Sequence, residues 1–218
     1  MVRELKSERK GPANASSAVV FLHGYGADGA DLLGLADVLG PHLPDTAFFA
    51  PDAPERSAGN PFGKQWFPIP WMDGSTEEQA RASMAQSVDD INAFLDQVLS
   101  SEGIAPARLA VVGFSQGTMM ALHVVPRRAE PVAGIVGFSG RLLVPELLAA
   151  EARSKPPVLL LHGDQDPVVP FTDLAKAEAG LSAAGFEVAT HVMAGTPHGI
   201  SQDGLLAALQ FLQRHLGD

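Results

Sequence analysis

The sequence contains no cysteine among its 218 residues. Disulfide bridges, a zinc site built from thiolates and a catalytic cysteine are therefore excluded. A chain without cysteine fits a reducing compartment, so we predict a cytoplasmic protein.

Long apolar runs and an excess of basic residues are also missing. No segment approaches the roughly 18 consecutive apolar residues of a membrane-spanning helix. The start, MVRELKSERKGPANASS, lacks the apolar stretch of a secretory signal. We therefore expect no integral membrane association. The chain has 15 Lys and Arg against 25 Asp and Glu, a net charge of −10, which disfavours nucleic acid and anionic membranes as partners.

Short apolar runs alternate with helical patterns along the chain. Its length and its apolar fraction of 46% predict one domain over residues 1–218, with residues 1–16 either an edge strand or poorly ordered. The predicted strands are 17–24, 46–51, 107–114, 131–139, 156–163 and 186–193. The predicted helices are 29–40, 75–103, 115–125, 172–185 and 200–217, the second of them opened by a Ser75–Glu78 capping box.

This alternation predicts an α/β fold. Nearly continuous apolar strands separated by helices form a mostly parallel central sheet with helices on both faces. Ligands bind beyond the carboxyl ends of the strands in such sheets. The loops that follow the strands are therefore the places to look for chemistry.

The segment VVGFSQGTMMAL (111–122) places Ser115 between two glycines, where a predicted strand turns into a predicted helix. The G-x-S-x-G pattern forms a strained turn that exposes the serine hydroxyl, and the flanking glycines avoid a collision there. The similar segment IVGFSGR (135–141) has Arg141 in place of the second glycine. We therefore expect Ser115 to be a nucleophile and Ser139 to be structural.

A serine nucleophile needs a histidine base and an orienting carboxylate. His198 lies in a Gly/Pro loop, AGTPHGI, between the last strand and the last helix, and it is the candidate base. The other histidines have contexts that favour packed or solvated side chains: His23, His42, His123, His162, His191 and His215. Two acids, Asp164 and Asp166, share the loop HGDQDPVVP, and both stand at the correct edge of the sheet.

Together, FLHGYGADG, GFSQG, HGDQDPVVP and GTPHGI resemble the phospholipase/carboxylesterase family of the α/β-hydrolase fold. The resemblance covers nearly the whole chain, from about Ala18 to Leu216. The family includes bacterial carboxylesterases and acyl-protein thioesterases. It implies that Asp166, directly before PVVP, is the acid and that Asp164 hydrogen-bonds the turn. It also implies that the backbone N–H groups of Tyr25 and Gln116 form the oxyanion hole, that no cofactor or metal is used, and that a homodimer can form.

The segment 59–74, GNPFGKQWFPIPWMDG, is rich in Gly, Pro and aromatic residues and predicts a long loop. It resembles the family segment around a Trp-Phe pair, here Trp66-Phe67. We consider two interpretations: a wall of the substrate site formed by Trp66, Phe67 and Trp71, and a self-packed loop. Val168, two residues after Asp166, is a further candidate substrate contact.

Three functional hypotheses follow. The first is a serine carboxylesterase that hydrolyses small to medium carboxylic esters through an acyl-enzyme. The second has the same chemistry but acts on long acyl chains, as an acyl-protein thioesterase or a lysophospholipase. The third, of another class, is a binding protein that keeps an inactive hydrolase fold, and it is disfavoured because a residue is present for every catalytic role.

Overall fold

The computed structural model describes residues 1–60 and 62–217, so Pro61 of the predicted loop and the C-terminal Asp218 lie outside the described residues. The strands are β1 (Ser7–Lys10), β2 (Ser17–Leu22), β3 (Thr46–Pro51), β4 (Glu55–Arg56), β5 (Lys64–Gln65), β6 (Leu109–Phe114), β7 (Gly134–Phe138), β8 (Val158–Gly163) and β9 (Val188–Met193). The α-helices are α1 (Gly29–Leu33), α2 (Leu35–Leu39), α3 (Pro70–Asp73), α4 (Glu77–Glu102), α5 (Gln116–Val124), α6 (Pro145–Glu151), α7 (Thr172–Ala183) and α8 (Gln202–Leu216). Short 3₁₀ helices cover Gly40–His42, Pro106–Arg108 and Val125–Arg127.

Seven strands form one sheet in the order β1-β3-β2-β6-β7-β8-β9. All neighbouring pairs are parallel except β1 with β3, which is antiparallel. The N-terminal segment therefore supplies an edge strand, the first of the two alternatives for residues 1–16. A salt bridge from Arg3 Nε to Asp90 Oδ2, 2.7 Å long, holds this segment against α4.

The sheet is covered by helices on both faces, as the strand pattern predicts. In β2, Val20 and Leu22 face a core layer that α4, α5 and α7 complete, whereas Val19 and Phe21 face the layer of α1, α2 and α8. All four side chains are fully buried. Strands buried on both faces carry apolar residues at nearly every position, which explains why these sequences are long apolar runs rather than alternating patterns.

Several predicted elements differ in detail. The helix predicted over 29–40 is divided at Gly34 into α1 and α2. The loop predicted over 59–74 contains β5, which pairs with β4 just before the loop, and α3. The capping box of α4 is formed by Thr76 and Gln79, not by Ser75 and Glu78. The cause is the preceding turn, because the Asp73 carboxylate accepts the Ser75 N–H at 2.9 Å and keeps Ser75 outside the helix.

The parallel strands end at one edge of the sheet, which carries the loops singled out above. β6 lies at the centre of the sheet, with β2 on one side and β7 on the other. The loops after β8 and β9 follow further along the same edge. Within the described part of the chain, no helix is both long and apolar enough to cross a membrane.

Candidate active site

The turn from β6 into α5 holds Ser115 in a strained backbone conformation. Its φ is 53° and its ψ is −115°, outside the regions that L-residues normally occupy. Both neighbouring glycines are required by close approaches of the backbone. A β-carbon on Gly117 would lie 1.8 Å from the carbonyl oxygen of Leu22, and one on Gly113 would lie 2.5 Å from the backbone nitrogen of Thr118. The G-x-S-x-G spacing therefore has the steric cause expected from the sequence.

Ser115 lies beside the loop that follows β2. A β-carbon built on Gly24 would be 3.3 Å from the Ser115 β-carbon. The Ser115 N–H donates to the carbonyl of Phe138, 2.8 Å away at the end of β7, and the serine as a whole is 8% exposed.

His198 and Asp166 meet although 32 positions separate them. His198 Nδ1 lies 2.7 Å from Asp166 Oδ2, and Asp166 Oδ1 accepts the N–H groups of Val168 and Val169 at 2.8 and 2.9 Å. Burial by itself would raise the pKa of Asp166, but the hydrogen bonds from His198 and from the two backbone N–H groups lower that pKa below its usual value. An ionised carboxylate is an acceptor only, so Nδ1 of His198 carries the proton and Nε2 is available as a base.

The imidazole of His198 packs against the residue before the candidate nucleophile. The ring centroids of His198 and Phe114 are 4.9 Å apart, and the His198 side chain is 18% exposed. The folded chain thus brings Ser115, Asp166 and His198 to the same edge of the sheet.

The two acids of the loop HGDQDPVVP have different partners. Asp164 Oδ1 accepts the N–H of Gly195 at 2.7 Å and so fixes the loop that carries His198. Asp166 contacts the imidazole itself. Asp164 thus bonds the loop of His198 rather than its own turn, and the assignment of Asp166 as the catalytic acid stays a prediction.

His162 is a second imidazole beside Asp166, and the sequence analysis interpreted it as a packing residue. It is buried, with Nε2 3.0 Å from the Val169 carbonyl and 3.4 Å from Asp166 Oδ2. The carbonyl is an acceptor only, so Nε2 carries the proton. The four-residue spacing from His162 to Asp166 across a tight turn is the signal from which this contact could have been found.

Ser139 differs from Ser115 in exposure rather than in backbone conformation. Its φ is 47°, so both serines have positive φ. Ser139 is fully buried, and its hydroxyl has no hydrogen-bond partner among the described residues. A hydroxyl sealed inside the protein cannot reach a substrate, which agrees with a structural Ser139.

The two candidate oxyanion donors occupy neighbouring turns. Within the ranges 1–60 and 62–217, neither the Tyr25 N–H nor the Gln116 N–H donates a hydrogen bond to another protein group. The Tyr25 hydroxyl accepts the Ala58 N–H at 3.3 Å. The Gln116 side chain is buried and bonded at both ends of its amide, a role that the sequence analysis did not foresee.

The candidate substrate contacts separate into buried and exposed residues. Trp66 is 0% exposed and belongs to the core, so the expectation that it touches substrate is corrected. Its indole N–H is used within the protein, where it donates to the His23 carbonyl at 2.9 Å. Phe67 is half-buried against the same core, whereas Trp71 is 77% exposed and Val168 50% exposed. Of the four candidates, Trp71 and Val168 are therefore the two with exposed side chains, and their contact with substrate stays a prediction.

Groups of three or more His, Cys, Asp or Glu side chains that could hold a metal ion are not found among the residues that the structure describes.

Comparison with known proteins gives one consistent family. The family model described as phospholipase/carboxylesterase matches residues 8–216. The crystal structure of esterase PE8 superimposes with a TM-score of 0.91 at 42% identity, covering 98% of this chain and 100% of that one. Esterase YpfH of Escherichia coli is 27% identical, with 91% of this chain and 83% of the relative covered. Acyl-protein thioesterase 1 of Saccharomyces cerevisiae is 32% identical, with 72% and 73% covered. The chain belongs to the phospholipase/carboxylesterase family.

Proposed function

We propose that the protein is a serine carboxylesterase that hydrolyses small to medium carboxylic esters through an acyl-enzyme. The observation that carries the proposal is the 2.7 Å contact of His198 with Asp166 at the same sheet edge as the strained Ser115 turn. Nucleophile, orienting acid and base (Ser115, Asp166 and His198) follow one another along the chain in the α/β-hydrolase order.

In the first half of the reaction, Ser115 Oγ attacks the ester carbonyl carbon while His198 Nε2 takes the hydroxyl proton. The carbonyl oxygen becomes an oxyanion, and the N–H groups of Tyr25 and Gln116 stabilise it. His198 then gives its proton to the leaving alcohol, and the C–O bond to the alcohol breaks. Ser115 now carries the acyl group.

In the second half, His198 takes a proton from water, and the hydroxide attacks the acyl carbon. The oxyanion forms at the same two N–H groups, and collapse returns the proton to Ser115 as the acid leaves. Asp166 accepts the Nδ1–H throughout and stabilises the imidazolium. Its lowered pKa keeps it ionised for this role at neutral pH.

A second candidate has the same chemistry on long acyl chains. The exposure of Trp71 in α3 and of Val168 in the loop after β8 favours it, because both provide apolar surface. The name of the yeast relative, an acyl-protein thioesterase, is consistent with it. The cytoplasmic location, the homodimer and the single-domain organisation stay predictions from the sequence.

Two measurements test the proposal. A fluorophosphonate probe should label the purified protein covalently at Ser115 and leave Ser115→Ala unlabelled. Hydrolysis of p-nitrophenyl esters and acyl thioesters from two to sixteen carbons should give the highest kcat/KM at short to medium length with oxygen esters. A maximum at long thioesters would favour the second candidate, and an unlabelled wild-type protein would refute both.

A further inference from the structure

The two proposed oxyanion donors stand on loops from different strands, and a third stretch of chain touches both loops. Tyr25 follows β2 and Gln116 follows β6. Residues 64–67, here called the bridging segment, comprise Lys64, Gln65, Trp66 and Phe67. An oxyanion hole works only when both donors lie about 2.7–3.1 Å from one oxygen position, so their relative placement matters.

The first end of the bridging segment is bonded to the Tyr25 loop. The Gly26 N–H donates to the Lys64 carbonyl at 2.8 Å, and the Lys64 N–H donates to the Ala27 carbonyl at 2.7 Å. These two bonds anchor Gly26 and Ala27, the two residues that directly follow Tyr25. The Tyr25 N–H takes part in neither of these two bonds.

Trp66 adds a bond on the other side of Tyr25. Its Nε1–H donates to the His23 carbonyl at 2.9 Å, and the rings of Trp66 and His23 lie 5.4 Å apart. His23 Nε2 accepts the Ala53 N–H at 2.9 Å, which joins the same loop to the chain that follows β3. The Tyr25 loop is therefore fixed both before and after its candidate donor.

The second end of the bridging segment is bonded to the side chain of Gln116. The Gln116 Nε2–H donates to the Phe67 carbonyl at 2.7 Å, and Gln116 Oε1 accepts the Trp66 N–H at 2.9 Å. One buried side chain thus satisfies a peptide donor and a peptide acceptor of successive residues. A primary amide offers both functions side by side at the end of one flexible chain, and Asn would be one methylene too short.

We propose that Gln116 has a positioning role in addition to its backbone role: its side-chain amide, through the bridging segment, fixes the distance between the Tyr25 N–H and the Gln116 N–H. The inference rests on the proposed function. It predicts that loss of the amide lowers transition-state stabilisation while ground-state binding is retained.

The test uses Gln116→Met, which keeps the length of the side chain and removes both hydrogen bonds. Its kcat should fall about 10- to 100-fold with KM within about threefold of wild type, since loss of a whole oxyanion donor costs about 10²–10³. A trifluoromethyl ketone analogue of the ester, whose hemiketal oxygen occupies the oxyanion position, should bind more weakly by the same factor.

The matched control is Ser87→Ala. The Ser87 hydroxyl donates to the Trp66 carbonyl and ties the bridging segment to α4, not to either donor loop. Its loss should lower the melting temperature and leave kcat within about twofold. If Gln116→Met does not fold, Gln116→Leu replaces it, because leucine also removes both amide hydrogen bonds and fills less space than methionine. The same loss of kcat and of ketone affinity is expected.

The inference would be overturned if Gln116→Met had the kcat of the wild type. It would also be overturned if the affinity of Gln116→Met for the ketone did not fall by the same factor as its kcat. An equal loss of kcat in Ser87→Ala would overturn it as well. In each of these cases the wild-type enzyme still reacts with the fluorophosphonate probe, so the proposed function stands. A wild-type protein that neither reacts nor hydrolyses esters would instead refute the proposed function itself.

Discussion

Asp164 and Asp166 stand two positions apart in one loop but bind different parts of the loop that carries His198. Asp166 Oδ2 lies 2.7 Å from the imidazole Nδ1, while Asp164 Oδ1 accepts the backbone N–H of Gly195 at 2.7 Å. One carboxylate orients the imidazole and the other supports its loop.

Substitution of these acids by Asn should therefore have unequal effects. Asp166→Asn can donate to Nδ1 and favour the wrong imidazole tautomer, so we expect kcat to fall by about 10⁴-fold. Asp164→Asn retains an oxygen that accepts the Gly195 N–H, and we expect a loss below about tenfold. Steady-state kinetics on a short ester, with thermal melting as the folding control, decides the matter. Equal losses would show that Asp164 shares the role of the acid.

The two strained serines provide a second comparison. Ser115→Ala removes the nucleophile, and kcat should drop by about 10⁴- to 10⁶-fold. Ser139→Ala removes a buried hydroxyl without a partner, so activity should stay within about twofold and the free energy of unfolding should hold or rise slightly. Urea unfolding and ester hydrolysis on both variants give the comparison. An inactive but folded Ser139→Ala would place Ser139 in the active site.

Two glycine substitutions should have opposite effects on stability. In Gly117→Ala the new β-carbon meets the Leu22 carbonyl oxygen, 1.8 Å away, so β2 or α5 must move and we expect a loss of several kcal/mol or no soluble protein. In Gly34→Ala the backbone is already helical, with φ −57° and ψ −28°, and the nearest atom is 3.8 Å away. That variant should gain about 0.4–1 kcal/mol in urea unfolding. A well-folded, stable Gly117→Ala would contradict the close approach.

Acid should destabilise the protein through His123. Burial, reinforced by the nearby Arg127 guanidinium, lowers the pKa of His123 to about 4. The unfolded chain has a histidine pKa of about 6.5, so it takes up a proton before the folded chain does as the pH falls. The contribution is fully present above about pH 6.5 and is lost between about 6.5 and 4.

The measurement is the free energy of unfolding in urea at pH 7.5 and at pH 5. Burial also lowers the pKa of His23, so the wild-type slope contains more than one histidine. The comparison with His123→Gln isolates His123 and should show a smaller fall in stability, the difference being at most about 2 kcal/mol over this pH range. If the free energy of unfolding fell equally in the wild type and in His123→Gln, the acid sensitivity would belong to other groups.

Most strands of the central sheet and most of the helices that cover it could be predicted from the sequence. The strands were recognisable because those buried on both faces are mostly apolar. The sequence analysis did not predict α6, which begins at Pro145, a residue well tolerated at the first helical position. β1 carries Ser7, Glu8, Arg9 and Lys10 at the edge of the sheet, so its sequence has no apolar pattern.

The candidate triad could be predicted because each member lies in a loop after a strand, and such loops meet at one edge. Which aromatic residues would be buried and which exposed could not be predicted. Trp66 and Trp71 occur in the same Gly/Pro-rich stretch, yet one is fully buried and the other mostly exposed. The difference depends on long-range partners, namely the His23 carbonyl and the Gln116 amide, which no local pattern encodes.

The strained conformation of Ser115 has a consequence for protein engineering. A residue in such a region costs the folded state about 1–3 kcal/mol, and glycine would remove most of that cost. Thermal stability and turnover are therefore opposed at this position, and a library selected for heat resistance alone would be enriched in glycine at 115. Directed evolution of a more heat-stable enzyme from this chain therefore needs a screen that measures turnover in every round.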